Sequence, residues 1–182
     1  MVNKLIRLID RFRFFIRKKF VGFESAALLF MTMNKDSAIP ILKANGATIG
    51  SNNDIETPIV FHNCQDFSNL VIGNNCHIGK NCFFDLRDKV IIQNNVVISM
   101  QTTFITHQDI SRSELNKLFP ASHKEIIIKD NSYIGASVTI LKGVTINEYA
   151  VVGAKSLVTK DIMKYTMNFG VPVVKIKDIP KK

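Results

Sequence analysis

The chain has 182 residues, of which 46% are apolar and 21% charged, a balance typical of a single globular domain with its own core. Lys and Arg number 24 against 15 Asp and Glu, which gives a net charge of +9. The sequence contains no run of about 20 apolar residues that would span a membrane. Its basic N-terminus lacks the apolar core and cleavage site of a signal peptide. We therefore expect a cytoplasmic protein.

The first predicted element is a basic amphipathic helix over residues 1–22. Seven basic residues and a single acidic one, Asp10, give this segment a charge of +6. Its apolar face at helical spacing comprises Leu5, Ile9, Phe12, Ile16 and Phe20. Two interpretations fit equally well: the helix caps the open end of the domain, or it lies on an anionic membrane surface. No nucleic-acid-binding module accompanies it, so we expect no nucleic-acid partner.

Residues 24–44 are also predicted to be helical, with a weak break around Asn34 to Pro40 and a final short helix that Gly46 terminates. Residues 1–46 thus form a helical N-terminal segment. A different pattern begins directly after it.

A six-residue repeat organises the chain from Ile49 onward and is clearest over residues 128–163. A β-branched aliphatic residue opens each hexad there: Ile128, Ile134, Ile140, Ile146, Val152 and Val158. A helix would place apolar residues at steps of three and four, and a strand at steps of two. A fixed step of six is typical of a solenoid in which each hexad forms a short strand and a corner. We therefore predict an all-β solenoid over residues 47–163.

Interruptions of the period are informative. Two extra residues near 85–89 predict a bulge, and the loss of the period over residues 107–127 predicts a loop extruded from the solenoid. Long loops that project from a regular scaffold often carry function. After residue 163 the hexads end, and residues 164–182 form a basic C-terminal tail. Gly and Asn after the leading aliphatics are expected at tight corners, because both tolerate left-handed backbone angles.

The three cysteines, Cys64, Cys76 and Cys82, predict neither disulfides nor a metal site. Their number is odd, and no C-x-x-C pair is present. Cys76 and Cys82 both fall at the fifth position of a hexad, where a small inward group is needed, and free cysteine behaves as a small hydrophobe. We expect buried thiols and no metal.

An ordered set of motifs resembles the hexapeptide-repeat acyltransferases, particularly the branch of galactoside, maltose and surface-polysaccharide O-acetyltransferases. The set comprises Ile-Gly-x-Asn repeats, Thr106-His107 at the start of the loop, Tyr133-Ile134-Gly135-Ala136, residues 152–161 and Gly170-Val171-Pro172. The resemblance covers residues 49–177. It implies a left-handed parallel β-helix with three hexads per coil. It also implies a homotrimer that binds acetyl-CoA between two prisms, without a metal.

His107 is the catalytic candidate. Acyl transfer to a hydroxyl needs a base, because an alcohol stays protonated at neutral pH, and histidine with a pKa of about 6.5 can accept that proton. The resemblance places the base histidine at the start of the extruded loop, where His107 stands. His62 and His77 are expected to be structural or surface residues. His123, at the far end of the loop, is expected to be a solvated loop residue, with approach to His107 or an acceptor as the alternative.

Three residues are candidates for contacts with the acceptor or with His107. Asp85 follows the bulged coil and either binds the acceptor, orients the base or caps a corner. Asn81 is a weaker candidate for acceptor binding. Asp109 could orient His107, as carboxylates orient other catalytic imidazoles, or cap a turn.

Further residues are carried over as acetyl-CoA contacts by the resemblance. Small residues are needed along the pantetheine arm, and polar or basic ones near the adenosine and its phosphates. The predicted contacts are Tyr133, Ala136, Ala154, Thr159, Lys160 and Lys177. Val174 departs from the pattern, because relatives often carry a basic residue there; Lys175 is its candidate replacement.

The sequence therefore predicts an acetyl-CoA-dependent O-acetyltransferase that acts on a saccharide hydroxyl, with His107 as general base. Its basic N-terminal helix suggests a membrane-proximal glycan of surface-polysaccharide assembly, such as O-antigen or capsule, and a peripheral site at the inner membrane face. The alternatives are N-acetylation of an amino sugar, acetylation of a xenobiotic such as an antibiotic, and a non-catalytic solenoid scaffold.

Overall fold

The protein is described from a computed structural model, which covers residues 2–181. Its N-terminal part contains helices α1 (Val2–Val21), α2 (Phe23–Ala27) and α3 (Lys35–Ala44), with a 3-10 helix at Leu28–Met31. The predicted break in the second helical segment is narrower than expected, because α3 begins at Lys35 and includes Pro40. Asn34 begins this helix as its N-cap, where its side-chain oxygen accepts a hydrogen bond from the Asp36 amide at 2.9 Å.

Three sheets, one per face of a prism, form the body of the protein. The first face contains β1 (Thr48–Ile49), β4 (Leu70–Ile72), β7 (Val90–Ile92), β12 (Ile126–Ile128) and β15 (Thr145–Ile146). The second contains β2 (Asp54–Ile55), β5 (His77–Ile78), β8 (Val97–Ile98), β13 (Tyr133–Ile134), β16 (Val151–Val152), β18 (Thr166–Phe169) and β19 (Val174–Asp178). The third contains β3 (Ile59–His62), β6 (Cys82–Asp85), β9 (Thr103–Ile105), β14 (Thr139–Leu141) and β17 (Leu157–Val158). A separate hairpin pairs β10 (His107–Gln108) with β11 (Ser122–His123).

The strands within each face are parallel, except that β19 runs antiparallel to β18. Coil-to-coil register follows the hexads, since Ile127 pairs with Thr145, three hexads further on. Val71 pairs with Ile91, which is 20 residues further on. Three hexads would give 18, so this coil contains the two extra residues predicted from the sequence. The solenoid architecture predicted from the repeat is confirmed. Strand β18 continues the second face inside the segment expected to be a tail.

The corners correct one expectation about glycine. The left-handed position between the first and second faces is occupied by asparagine in the first four coils: Asn52, Asn75, Asn95 and Asn131. Gly50, Gly73, Gly79, Gly135 and Gly153 do not have positive φ. A Cβ on Gly73 would lie 2.8 Å from the Gln93 carbonyl oxygen of the next coil. These glycines are therefore needed for close approach between coils. Asparagine meets the backbone requirement at this corner in the first four coils, and Tyr149 takes the position in the fifth.

A column of phenylalanines fills the N-terminal end of the prism. Phe61, Phe84 and Phe104 stack with ring centroids 5.7 and 4.6 Å apart. Phe14 of α1 joins this core edge-on against Phe30 at 6.1 Å. Helix α1 therefore packs on a layer formed by α2, the 3-10 helix and α3, and this layer contacts the strands of the first coil.

The covering face of α1 is not its predicted apolar face. Phe14 and Asp10 are buried, and Asp10 accepts a hydrogen bond from the Ser37 hydroxyl at 2.7 Å. The apolar face predicted from the sequence, which would meet the solenoid only in the capping interpretation, is exposed: Leu5, Ile9, Phe12, Ile16 and Phe20. One buried aromatic and one satisfied carboxylate attach the helix, which leaves its apolar stripe outward.

The cysteines pack in the core. Cys64, Cys76 and Cys82 are free and buried. Burial raises the pKa of Cys64 to about 12 and that of Cys82 to about 11. Thiols that hold their protons so strongly serve as small apolar side chains.

Candidate functional site

His107 lies where the chain leaves the prism. It follows β9 on the third face and opens β10, which pairs with β11 on the return. Thr106, directly before it, is fully buried, and the His107 side chain is 24% exposed. The imidazole is thus rooted in the solenoid and partly open to solvent.

Asp85 holds this imidazole. Asp85 is the last residue of β6, the strand that pairs with β9 in the preceding coil, and it is 1% exposed. Its Oδ2 lies 2.6 Å from Nδ1 of His107. The same oxygen accepts hydrogen bonds from the amides of Thr106 and His107 at 2.8 and 3.1 Å, and from the Thr106 hydroxyl at 2.9 Å. Oδ1 accepts from the side-chain amide of Asn63 at 3.0 Å.

These donors decide the ionisation of the site. Burial by itself would raise the pKa of Asp85, but the hydrogen bonds from His107, Asn63 and Thr106 outweigh it and lower the pKa to about 2. An ionised carboxylate only accepts hydrogen bonds, so His107 must carry a hydrogen on Nδ1. In the neutral ring Nε2 then holds the lone pair. This is the arrangement of an oriented general base.

Two members of this cluster were missed or left without a role by sequence analysis. Asn63 lies in the irregular stretch between β3 and β4, with a left-handed φ of 55°, and no repeat pointed to it. Thr106 entered only as part of a motif. Its hydroxyl donates to Asp85 and accepts from the amide of Asp88 at 3.1 Å.

The other two acceptor candidates, Asp109 and Asn81, do not hold the imidazole as Asp85 does. Asp109 is exposed, and its carboxylate accepts from the amide of Ser111 at 2.9 Å, which is the turn-capping alternative. Asn81 precedes β6 at a corner with φ of 59°, whereas Asp85 ends that strand. At about 3.3 Å per residue, the two lie about 13 Å apart along the strand. The orienting carboxylate is therefore Asp85.

The three predicted pantetheine contacts lie on the second face and at the corner that follows it. Tyr133 is 43% exposed on the second face, and its hydroxyl accepts from Ser99 at 3.2 Å. Ala136 and Ala154 stack in adjacent coils at the next corner, where the Lys155 amide donates to the Ala136 carbonyl at 2.8 Å. Both alanines leave backbone groups close to the surface.

The predicted phosphate contacts lie at the C-terminal end. Thr159, Lys160 and Lys175 line a groove of about 300 Å³ together with Pro172 of the tail. The amine of Lys175 forms an ion pair with Asp178 at 2.7 Å. Lys177 is exposed on β19, opposite Met167 of β18.

Within this chain, His107 is separated from the alanine corner. Ala136 lies beside Met100, because the amide of Ser137 donates to the Met100 carbonyl at 3.0 Å. His107 follows Met100 by seven residues across the third face. At about 3.3 Å per residue, seven residues span at most about 23 Å. His107 and the alanine corner thus occupy opposite edges of one face.

Comparison with known proteins identifies the family. Residues 125–160 match bacterial transferase hexapeptide (six repeats), and residues 69–99 match the hexapeptide repeat of succinyl-transferase. The chain is 34% identical over 151 residues to galactoside O-acetyltransferase of Escherichia coli (strain K12), covering 76% of this chain and 67% of that protein. It is 30% identical over 143 residues to galactoside O-acetyltransferase of Lactococcus lactis subsp. lactis (strain IL1403), covering 75% and 65%.

Solved structures agree. A maltose O-acetyltransferase from Clostridium difficile 630 matches with a TM-score of 0.74 at 25% identity, covering 96% of this chain and 89% of that one. A galactoside acetyltransferase in complex with coenzyme A matches with a TM-score of 0.74 at 28% identity, covering 96% and 82%. The predicted left-handed parallel β-helix is thereby confirmed.

These matches define an acetyltransferase built on a left-handed β-helix. The chain belongs to the hexapeptide-repeat acetyltransferase family. It spans about two thirds of the length of the two galactoside O-acetyltransferases.

Replacing the orienting carboxylate tests the geometry. Asp85→Asn offers His107 an amide that no longer requires Nδ1–H, so the imidazole can carry its hydrogen on Nε2 and fail as a base. We expect kcat to fall by a factor between about a hundred and about ten thousand, the upper value being that of the same change in a Ser-His-Asp triad. Asp109→Asn makes the same chemical change in the loop that carries His107 and should change kcat less than about twofold. Equal losses in both variants would contradict the assignment.

Proposed function

We propose that the protein is an acetyl-CoA-dependent O-acetyltransferase that acts on a saccharide hydroxyl, with His107 as general base. The observation that carries the proposal is the 2.6 Å contact between Asp85 and Nδ1 of His107, which leaves Nε2 for the acceptor. The names of the galactoside and maltose O-acetyltransferases support a sugar hydroxyl as acceptor. Coenzyme A in the complex of a matching galactoside acetyltransferase supports the donor.

The proposed mechanism depends on the lone pair on Nε2 of His107. Nε2 of His107 takes the proton of the attacking hydroxyl as its oxygen bonds to the thioester carbonyl carbon. The carbon–sulfur bond then breaks, and the imidazolium returns the proton to the departing thiolate. The ionised Asp85 stabilises the transient imidazolium, as carboxylates do in other triads. General base catalysis of this kind contributes about a hundredfold to ten-thousandfold.

We further propose a homotrimer with acetyl-CoA between neighbouring prisms. The separation of His107 from the alanine corner, seven residues and at most about 23 Å across one face, supports this assembly. If one protomer supplies His107 and its neighbour supplies Ala136 and Ala154, both sets reach one thioester. Thr159, Lys160 and Lys177 would then contact the nucleotide end.

Loss of the imidazole tests the chemistry. His107→Ala should lower kcat for thiol release from acetyl-CoA by about a hundredfold or more, because no other group would take the hydroxyl proton. Binding of coenzyme A, measured by calorimetry, should be nearly unchanged.

The control for this variant is His77→Ala, which removes an exposed imidazole paired with Asp54 on the second face. It should leave turnover unchanged. Unchanged turnover in His107→Ala would remove this residue from catalysis. An acceptor panel that includes amino sugars and chloramphenicol separates the alternative acceptors; chloramphenicol acetyltransferases are among the relatives, at 29% identity over 108 residues.

We also propose that the acceptor is a membrane-proximal glycan of surface-polysaccharide assembly, with α1 lying on the anionic inner surface of the membrane. None of the helices between residues 2 and 181 is long and apolar enough to cross a bilayer. The outward face of α1 carries Leu8, Phe12 and Phe20 with exposed fractions of 64%, 63% and 72%. At 3.6 residues per turn, Phe12 lies opposite Asp10 and Phe14, which attach the helix to the body.

The positive charge of α1 favours an anionic membrane over a second copy of the helix as the partner of its outward face. Lys4, Arg11 and Lys18 line one edge of the apolar stripe, and Arg13 lies on the other. A second copy of α1 would bring the same positive charge against itself in a two-fold contact. An anionic bilayer instead gains about 1 kcal/mol per basic residue near the surface, and about 1.5–3 kcal/mol per large apolar side chain inserted.

Vesicle flotation tests this surface. The double variant Phe12→Ser and Phe20→Ser should bind vesicles of phosphatidylglycerol and phosphatidylcholine at least about tenfold more weakly, because two inserted rings are lost. Met163→Ser changes a similarly exposed apolar residue at the end of the last hexad and should bind normally. Absence of vesicle binding by the parent, or loss of assembly by the double variant in sedimentation, would show that the face contacts protein instead.

A further inference from the structure

A second imidazole–carboxylate pair stands beside the first. Nδ1 of His123 lies 2.8 Å from Oδ2 of Asp88. This repeats the contact between His107 and Asp85, in which Nδ1 also meets Oδ2. The sequence left two alternatives for His123, a solvated loop residue or one that approaches His107 or an acceptor, and the resemblance assigned it no role.

The hairpin sets the two histidines side by side. His107 of β10 pairs directly with His123 of β11. The amide of Lys124 donates to the carbonyl of Thr106 at 2.9 Å, which identifies the histidines as a non-hydrogen-bonded antiparallel pair. Side chains of such a pair project to the same face, with Cβ atoms about 4.5–5.5 Å apart. The two imidazoles therefore border one space.

One hydroxyl joins both pairs. Thr106 donates its hydroxyl to Asp85 and accepts from the amide of Asp88 at 3.1 Å. Asp88 itself lies in the turn formed by the two extra residues between β6 and β7, after Asp85 has ended its strand. The two extra residues that interrupt the hexads thus place the carboxylate of Asp88 at the same corner as that of Asp85.

Exposure distinguishes the two histidines. The His123 side chain is 62% exposed and Asp88 is 27% exposed, whereas His107 and Asp85 are 24% and 2% exposed. The inner pair is suited to a proton transfer that excludes water. The outer pair faces the solvent side from which a bulky acceptor approaches.

We propose that His123 binds a second hydroxyl of the acceptor, adjacent to the hydroxyl that is acetylated, so that the enzyme selects saccharides with vicinal hydroxyls. The inference rests on the proposed saccharide acceptor. With Nδ1 held by Asp88, Nε2 of His123 is the atom that meets the ligand. A sugar hydroxyl both donates and accepts, so it pairs with this nitrogen in either protonation state. Vicinal hydroxyl oxygens lie about one hydrogen-bond length apart. Two imidazoles whose Cβ atoms are about 4.5–5.5 Å apart can therefore each meet one hydroxyl of such a pair.

The experiment compares methyl galactopyranoside with analogues that each lack one hydroxyl. His123→Ala should raise KM for methyl galactopyranoside by about threefold to tenfold, the value of one neutral hydrogen bond, and leave kcat nearly unchanged. With the analogue that lacks the vicinal hydroxyl, the parent enzyme should show a KM raised by the same factor. His123→Ala should have no additional effect on the KM for that analogue. His123→Gln, which keeps a donor and an acceptor, should recover part of the affinity.

The outcomes are distinct. A fall in kcat without a change in KM, an equal rise in KM for every analogue, or no effect at all would each overturn the role of His123. His77→Ala serves as control for removal of an exposed imidazole. A parent enzyme that acetylates no saccharide in the thiol-release assay would contradict the proposed function itself, and this inference with it.

Discussion

The parallel register between β6 and β9 is the constraint on which the site depends. Phe84 pairs with Phe104 across these strands, and their rings stack at 4.6 Å in the core. Neighbouring strands lie about 4.8 Å apart. The residues that follow this pair, Asp85 in one coil and Thr106 with His107 in the next, are therefore brought together at the same corner. The apolar column inside the prism thus positions the polar cluster at its edge.

The cluster is stable because the buried carboxylate is fully satisfied. An ionised carboxylate without partners is costly to bury. Asp85 is nearly inaccessible yet keeps a pKa of about 2, since two backbone amides and the side chains of His107, Thr106 and Asn63 donate to it. The same bonds that stabilise the charge hold the imidazole in one tautomer. Orientation therefore exists before any ligand binds, which is the condition for efficient electrostatic catalysis.

Much of this could be predicted from sequence where the period was intact. Hexads from Ile128 onward predicted the prism, and the excess near residues 85–89 predicted the bulge. What escaped prediction depends on contacts between distant segments. Asn63 reaches Asp85 from 22 residues away in a stretch without a period. The pair of His123 and Asp88 exists only because a hairpin folds the loop back, and no local pattern encodes which residues that hairpin aligns.

The N-terminal helix shows a different reason for failure. Periodicity identified the apolar stripe of α1 correctly, but it could not say which face meets the solenoid. Phe14 and Asp10 attach the helix because the 3-10 helix and α3 present Phe30 and Ser37 to them. Amphipathicity therefore predicts that a helix has two faces, and tertiary contacts decide the use of each.

The central claim is that Asp85 holds His107 with its hydrogen on Nδ1 and a free lone pair on Nε2. Nitrogen-15 correlation spectra of labelled histidine test it most directly, at a mildly alkaline pH where imidazole is neutral. The account predicts that His107 shows a protonated Nδ1 and an unprotonated Nε2. A neutral ring that instead carries its hydrogen on Nε2 would contradict it.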